Sequence, residues 1–151
     1  MTNKTLVGTA GVHFVVSELS LRGLIALPTI RNTAGIDILV SEPDGSGQAN
    51  LQVKTRSVEG LYWPTSKPEK CLIGDLHFYV FVRYLPDKEK FEAFLETGTN
   101  VATQVQNNLS DQRKGGKGYF PYWELPDSET DVEKLRKQWK NWRPPKIMKV
   151  T

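Results

Sequence analysis

With a single cysteine, Cys71, the 151-residue chain can form no internal disulfide, which excludes a small cross-linked scaffold and agrees with a reducing compartment. Histidines are almost as scarce: His13 and His77, even taken with Cys71, do not fall at the spacing of a zinc site. No apolar stretch approaches the roughly 20 residues that cross a bilayer, and the opening MTNKTLVGTAG has no apolar core of the secretory kind. A cytoplasmic location without membrane attachment is therefore expected. Proline and glycine are scattered rather than clustered, and no repeat is visible, so nothing divides the chain and one domain over residues 1–151 is expected. Hydrophobic residues at 38% and charged residues at 25% are ordinary for a globular protein of a length that buries a core unaided.

Acidic residues are missing from one region. After Glu133 the chain carries Lys134, Arg136, Lys137, Lys140, Arg143, Lys146 and Lys149 with no further acid. Such a run is either a solvated helix face with a basic tail or a field that attracts phosphate, and on the second reading Lys137, Lys140 and Arg143 are candidate nucleic-acid contacts.

Hydrophobic spacing supplies the elements. Val12, Val15, Val16 and Leu19 predict an amphipathic helix over about 8–22 that Gly23 ends. Short strands are expected at 24–28, 35–40 and 49–55, the last two joined by the turn-rich SEPDGSGQ. An irregular excursion follows, then strands in LHFYVFVRYL and KFEAFLE around the turn PDKE. Val101, Val105 and Leu109 predict a helix over about 99–112, which RKGGKG breaks before a short extended YFPYWEL. A last helix opens at Ser128, with Val132, Leu135, Trp139 and Trp142 as its apolar stripe. This order implies an α/β fold, a mixed sheet flanked by helices with extra helices toward the C-terminus.

Two of these strands contain polar residues that need partners. GIDILV carries Asp37, and LQVKT carries Gln52 and Lys54. Because side chains alternate along a strand, Ile36, Ile38 and Val40 oppose Asp37, and Leu51, Val53 and Thr55 oppose Gln52 and Lys54. If the two strands are neighbours in the right register, Asp37, Gln52 and Lys54 share a face, which the first helix could cover while bringing Glu18 to it. Two carboxylates and an amide oxygen are hard ligands suited to Mg²⁺ or Mn²⁺, and a lysine beside them can hold water or a phosphate oxygen. Phosphodiester hydrolysis requires those parts.

Glu18, Asp37 and the QVK of Gln52, Val53 and Lys54 resemble the active-site signature of the PD-(D/E)XK nuclease superfamily, in its QxK variant. The arrangement is similar to small restriction-endonuclease-like and Holliday-junction-resolvase-like proteins, and YWPTSKPEK and DLHFYVFVRYL resemble segments of an uncharacterised bacterial branch. The resemblance implies a restriction-endonuclease-like core and a Mg²⁺- or Mn²⁺-dependent endonuclease acting on nucleic acid, DNA foremost, with a homodimer by analogy. It implies that Asp37 is the principal metal ligand, that the Val53 backbone carbonyl, Gln52 and Glu18 complete the set, and that Lys54 orients the attacking water. Gln52 stands where the signature more often has an acid, and Ile36 where it has proline. The alternative is a catalytically inactive protein of the same fold that binds nucleic acid or another protein.

Other candidates are less specific. Arg56 and Lys67 lie near the signature in sequence and could touch phosphate, as could Arg113, Lys114 and Lys117 around GGKG, which lacks the Ser or Thr and the preceding strand of a phosphate loop. Tyr62, Trp63, Tyr119, Tyr122 and Trp123 either stack bases or fill the core, and spacing does not separate the two.

Overall fold

The structure, a computed structural model, describes residues 3–30, 35–58, 60–114 and 120–148, the side chains of 112–114 excepted. Helix α1 spans Lys4–Leu21 and starts earlier than the apolar spacing suggests, because the Asn3 side chain accepts from the Thr5 and Leu6 N–H groups and caps it. Gly23, at φ 81°, turns the chain out of the helix in the left-handed region that favours glycine. Strands β1 (Ile25–Pro28), β2 (Ile38–Ser41) and β3 (Gln48–Arg56) follow as an antiparallel meander. The excursion contains β4 (Tyr62–Pro64) and a single helical turn at Pro68–Lys70. Then come β5 (His77–Leu85), β6 (Lys90–Thr97), α2 (Gly98–Lys114), β7 (Tyr122–Glu124) and α3 (Glu129–Asn141).

Five strands form a mixed sheet in the order β1-β2-β3-β5-β6, in which only β3 and β5 run parallel. The alternation read from the sequence matches the burial. Ile38, Val40, Leu51 and Val53 lie with Val15 and Leu19 of α1 in one apolar layer. Tyr79, Phe81 and Phe94 meet Val101, Val105 and Leu109 of α2 in a second layer on the opposite face. Helix α1 therefore covers the Leu51/Val53 face, not the face shared by Gln52 and Lys54. Its closest approach is at Gly11, where an added Cβ would lie 1.8 Å from the Thr55 hydroxyl oxygen.

A two-stranded sheet of β4 and β7 was not legible in the sequence, since three-residue strands give no periodicity and their partners are far apart. Trp63 and Trp123 anchor it. Both are 1% exposed, Trp123 stacks on Phe81 at 3.9 Å between ring centres, and the Trp63 indole donates to the Val82 carbonyl at 2.9 Å.

Three residues of the C-terminal basic run form ion pairs within the fold. Lys134 pairs with Asp131, and Arg136 pairs with Glu92, Glu129 and Glu133. Arg143 makes a two-point contact with Glu42 at 2.6 and 2.7 Å and donates to the Arg22 carbonyl. Lys146 bridges to Gly47 in the β2–β3 connection, so the tail is fastened to the hairpin end of the sheet.

Candidate active site

The end of the sheet opposite that hairpin is open, and there β2 and β3 separate around Asp37. Residues 35–37 are not part of β2, which begins at Ile38. The backbone explains this shortening. The Asp37 N–H still donates to the Leu51 carbonyl at 2.8 Å, but the Val53 N–H donates to Asp37 Oδ2 at 2.7 Å, so a side chain replaces the next rung of the ladder. On the other side the Thr29 hydroxyl takes the Ile36 carbonyl at 2.6 Å, and the Thr29 N–H donates to the Asp37 carbonyl at 2.9 Å.

These contacts fix where Asp37 and Val53 point. The N–H and C=O of one strand residue face the same edge, so the Val53 carbonyl also points to the side where β2 has departed and Asp37 lies. The β2–β3 register ends with Ile38 opposite Leu51, and Asp37, whose N–H donates to the Leu51 carbonyl, lies just beyond it. Lys54 lies next along β3 on the face of Gln52. Both side chains are half-buried.

The surroundings on that face are protein rather than water. Burial pushes the Tyr79 hydroxyl above its ordinary value, and the charges of Cys71 and, least, of Asp37 add to the effect. Burial likewise raises the Cys71 thiol, while its hydrogen bond to Tyr79 and the Lys54 ammonium act in the opposite sense. The thiol is held above its ordinary range and is not poised as a nucleophile.

Two grooves flank the first half of α1. One, of about 390 Å³, is lined by Asp37 and Val53 and by Thr5, Gly8, Thr9 and His13 of the helix. The other, of about 690 Å³, is lined by Lys54 and Arg56 together with Lys4, Tyr62 and Trp63. Glu18 belongs to neither. It forms an ion pair with Arg22 at 3.7 Å, and the last α1 residue lining the groove of Asp37 is His13, more than a helical turn before it. The expectation that α1 brings this carboxylate to Asp37 is corrected accordingly: α1 runs antiparallel to β3, and threonines occupy the level of Asp37.

The remaining candidates divide by position. Arg56 lines the larger groove, with its guanidinium 4.4 Å over the Tyr62 ring and donating to the Tyr62 carbonyl. Lys67 is exposed just before the helical turn at Pro68 and lines neither groove. Lys137 and Lys140 are exposed on α3, whose end meets the C-terminal end of α1 through Arg22 over Trp139, and Arg143 is committed to Glu42. Arg143 is thereby held at the hairpin end of the sheet, away from Asp37, and Lys137 and Lys140 line neither groove. Lys114 ends α2 with its side chain outside the described residues, and Lys117 and Tyr119 lie outside them altogether. Sequence reasoning missed Lys4 and Thr9, which nothing but the helix's course could bring to the grooves.

No family model matches the chain, and no curated protein matches it. Among solved structures it is similar to a bacterial homing endonuclease, I-Ssp6803I, at 11% identity, with a TM-score of 0.55 over 91% of this chain and 91% of that one. At that identity the likeness is one of fold, a nuclease-like mixed sheet flanked by helices. Among the described residues no helix is long and apolar enough to cross a membrane.

Proposed function

We propose that the chain is a cytoplasmic, one-domain nuclease of PD-(D/E)XK type that hydrolyses phosphodiester bonds in DNA with Mg²⁺ or Mn²⁺. What supports the reading is the hydrogen bond that seats Asp37 against Val53, the residue before Lys54 on β3, in a fold similar to that of a homing endonuclease.

The donor set fits a hard cation of one habit. Among the described residues no three His, Cys, Asp or Glu side chains are grouped so that they could hold a metal ion. A single carboxylate, a backbone carbonyl and a neutral amide suit an ion that keeps several waters and completes its shell with substrate phosphate, as Mg²⁺ does. Asp37 has Oδ2 engaged by Val53 and can offer Oδ1. The Val53 carbonyl and the Gln52 amide oxygen are the further donors. When bound, the cation supplies polarisation of the phosphoryl group and a more acidic water. Lys54, an ammonium with three donors, orients that water and stabilises the negative charge that develops on the phosphate.

Two observations favour a second reading, a fold of this kind that binds nucleic acid or a protein without cleaving. Asp37 already has a structural partner in Val53, and α1 presents threonines where a second carboxylate would strengthen the site. One experiment decides between them. The purified protein is incubated with supercoiled, linear, branched and single-stranded DNA in Mg²⁺, Mn²⁺ or EDTA. Cleavage that EDTA stops and Asp37→Asn abolishes supports the nuclease, whereas salt-sensitive binding without cleavage supports the binding protein. Paired nicks on opposite strands, with sedimentation as a dimer, would extend the proposal to a homodimer.

A further inference from the structure

The fold sorts the aromatic residues that the sequence left undivided. Trp63 and Trp123 are core side chains, whereas Tyr62 and Phe120 are 40% and 47% exposed. With the half-buried Tyr122 they form a surface cluster, its ring centres 5.9, 5.9 and 5.4 Å apart. Three adjacent rings at a surface are an unusual expense of apolar area, and such patches mark binding sites.

What lies beside the cluster identifies its ligand. Tyr62 is also a wall of the larger groove, where Lys4, Lys54 and Arg56 supply three positive charges and no acidic side chain is found among the described lining. An apolar peptide would gain nothing from those cations. A polyanion whose units also have flat, apolar faces would use both features, and a nucleic-acid strand is that ligand. Arg56 is already fixed as a planar surface, 4.4 Å over the Tyr62 ring. Lys54 belongs both to this groove and to the proposed site of hydrolysis.

We infer that the Tyr62–Phe120–Tyr122 cluster is a stacking subsite for an unpaired base, so that the preferred substrate carries a single-stranded, flapped or branched segment beside the cleaved bond. Bases within a duplex have both faces covered by their neighbours and cannot use such a surface. Lys4 and Arg56 hold the backbone of the unpaired strand while the base rests on the rings. The inference rests on the preceding reading for the cleaved bond, whereas the stacking subsite itself requires only that the ligand be nucleic acid.

The test measures binding in EDTA, where hydrolysis does not intervene. Three fluorescein-labelled probes are compared by anisotropy: a plain duplex, a forked duplex with a short single-stranded arm, and the same fork with abasic nucleotides in the arm. The wild type is expected to bind the base-carrying fork roughly tenfold more tightly than the abasic one, as one stacked base allows. Tyr62→Ala is expected to lose that preference, Tyr62→Phe to keep it, and Phe120→Ala to reduce it, which leaves a readout should Tyr62→Ala fold poorly. Equal binding of the two forks by the wild type, or an undiminished preference in Tyr62→Ala or Phe120→Ala, overturns the subsite while leaving the nuclease reading intact. Failure to bind any of the three probes at low salt removes the nucleic-acid reading, and the subsite with it.

Discussion

Replacing Asp37 separates its service to the fold from its service to chemistry. Alanine removes the acceptor of the Val53 N–H and leaves that donor without a protein partner at the point where β2 and β3 part. A hydrogen bond to a charged acceptor contributes about 1.5–3 kcal/mol. Asp37 is half-buried, so water can replace part of the bond, and the lower end, about 1.5 kcal/mol, applies. For a chain of this size each kcal/mol moves Tm by about 2–4 °C, so Asp37→Ala should melt about 3–6 °C below wild type in EDTA. Asparagine keeps an oxygen at the same position but not its charge, and should lose about half as much. Cleavage in Mg²⁺ should vanish in both variants, because neither can offer an anionic oxygen to the cation. Melting by circular dichroism and nicking of supercoiled DNA, on the same preparations, provide the two readouts. An alanine variant that melts at or above the wild-type temperature would refute the structural half of the argument. An asparagine variant that cleaves normally would refute the other half.

Three further outcomes follow from packing and charge. Gly11→Ala brings a methyl to 1.8 Å from the Thr55 hydroxyl oxygen and 2.8 Å from two Thr55 carbons. Overpacking of about 1–3 kcal/mol exceeds the gain of up to about 1 kcal/mol in helix propensity, so Tm should fall, and Thr55→Ala should restore part of the loss in the double variant. The Glu92 carboxyl is subject to burial, which raises it, but Arg83, Arg136 and Lys90 outweigh this and hold it below its ordinary 4.5. A depressed folded value means stability that is present above the unfolded value and disappears as pH falls through the folded one. Glu92→Gln should therefore flatten the acid side of the stability profile below about pH 4.5, and an unaltered acid limb in thermal melts would count against the ion cluster. Neutralising Lys4 and Arg56 together should reduce the slope of log binding against log salt by about 1.4–1.8, whereas neutralising Lys137 and Lys140, which line neither groove, should leave it unchanged.

Which parts of this were readable depends on whether the signal was local. The valines and Leu19 of α1, the alternation in Ile38–Val40 and Leu51–Val53, and the stripe of α2 are periodic, and the faces they define are those that are buried. The sharing of one face by Gln52 and Lys54 followed from the same period of two. Glu18 was misplaced because a helical projection fixes angle but not height, and only the antiparallel course of α1 over β3 shows that Thr9 rather than Glu18 is level with Asp37. The ion pairs of the basic tail were hidden for a related reason. Glu42 and Glu92, which neutralise Arg143 and Arg136, are remote in the chain and do not enter a count along it. Strand β7 falls within the expected extended piece YFPYWEL, but β4 and the pairing of the two left no periodic signal.

The parallel pairing of β3 with β5 also governs how the molecule is made. The β2–β3 ribbon closes through a short connection and can form within about 1–10 µs. Asn50, by contrast, meets His77 across a separation of 27 residues, bridged by the excursion rather than by a helix. Closing that loop comes before any of the contacts that reward it, so it is the slower event. Until residues 77–85 are available, the peptide groups of Gln52 and Lys54 form an open strand edge next to Leu51 and Val53, a template on which other chains can add. The segment that carries the proposed chemistry is thus also the one most exposed to aggregation during synthesis, and its protection depends on how promptly β5 arrives.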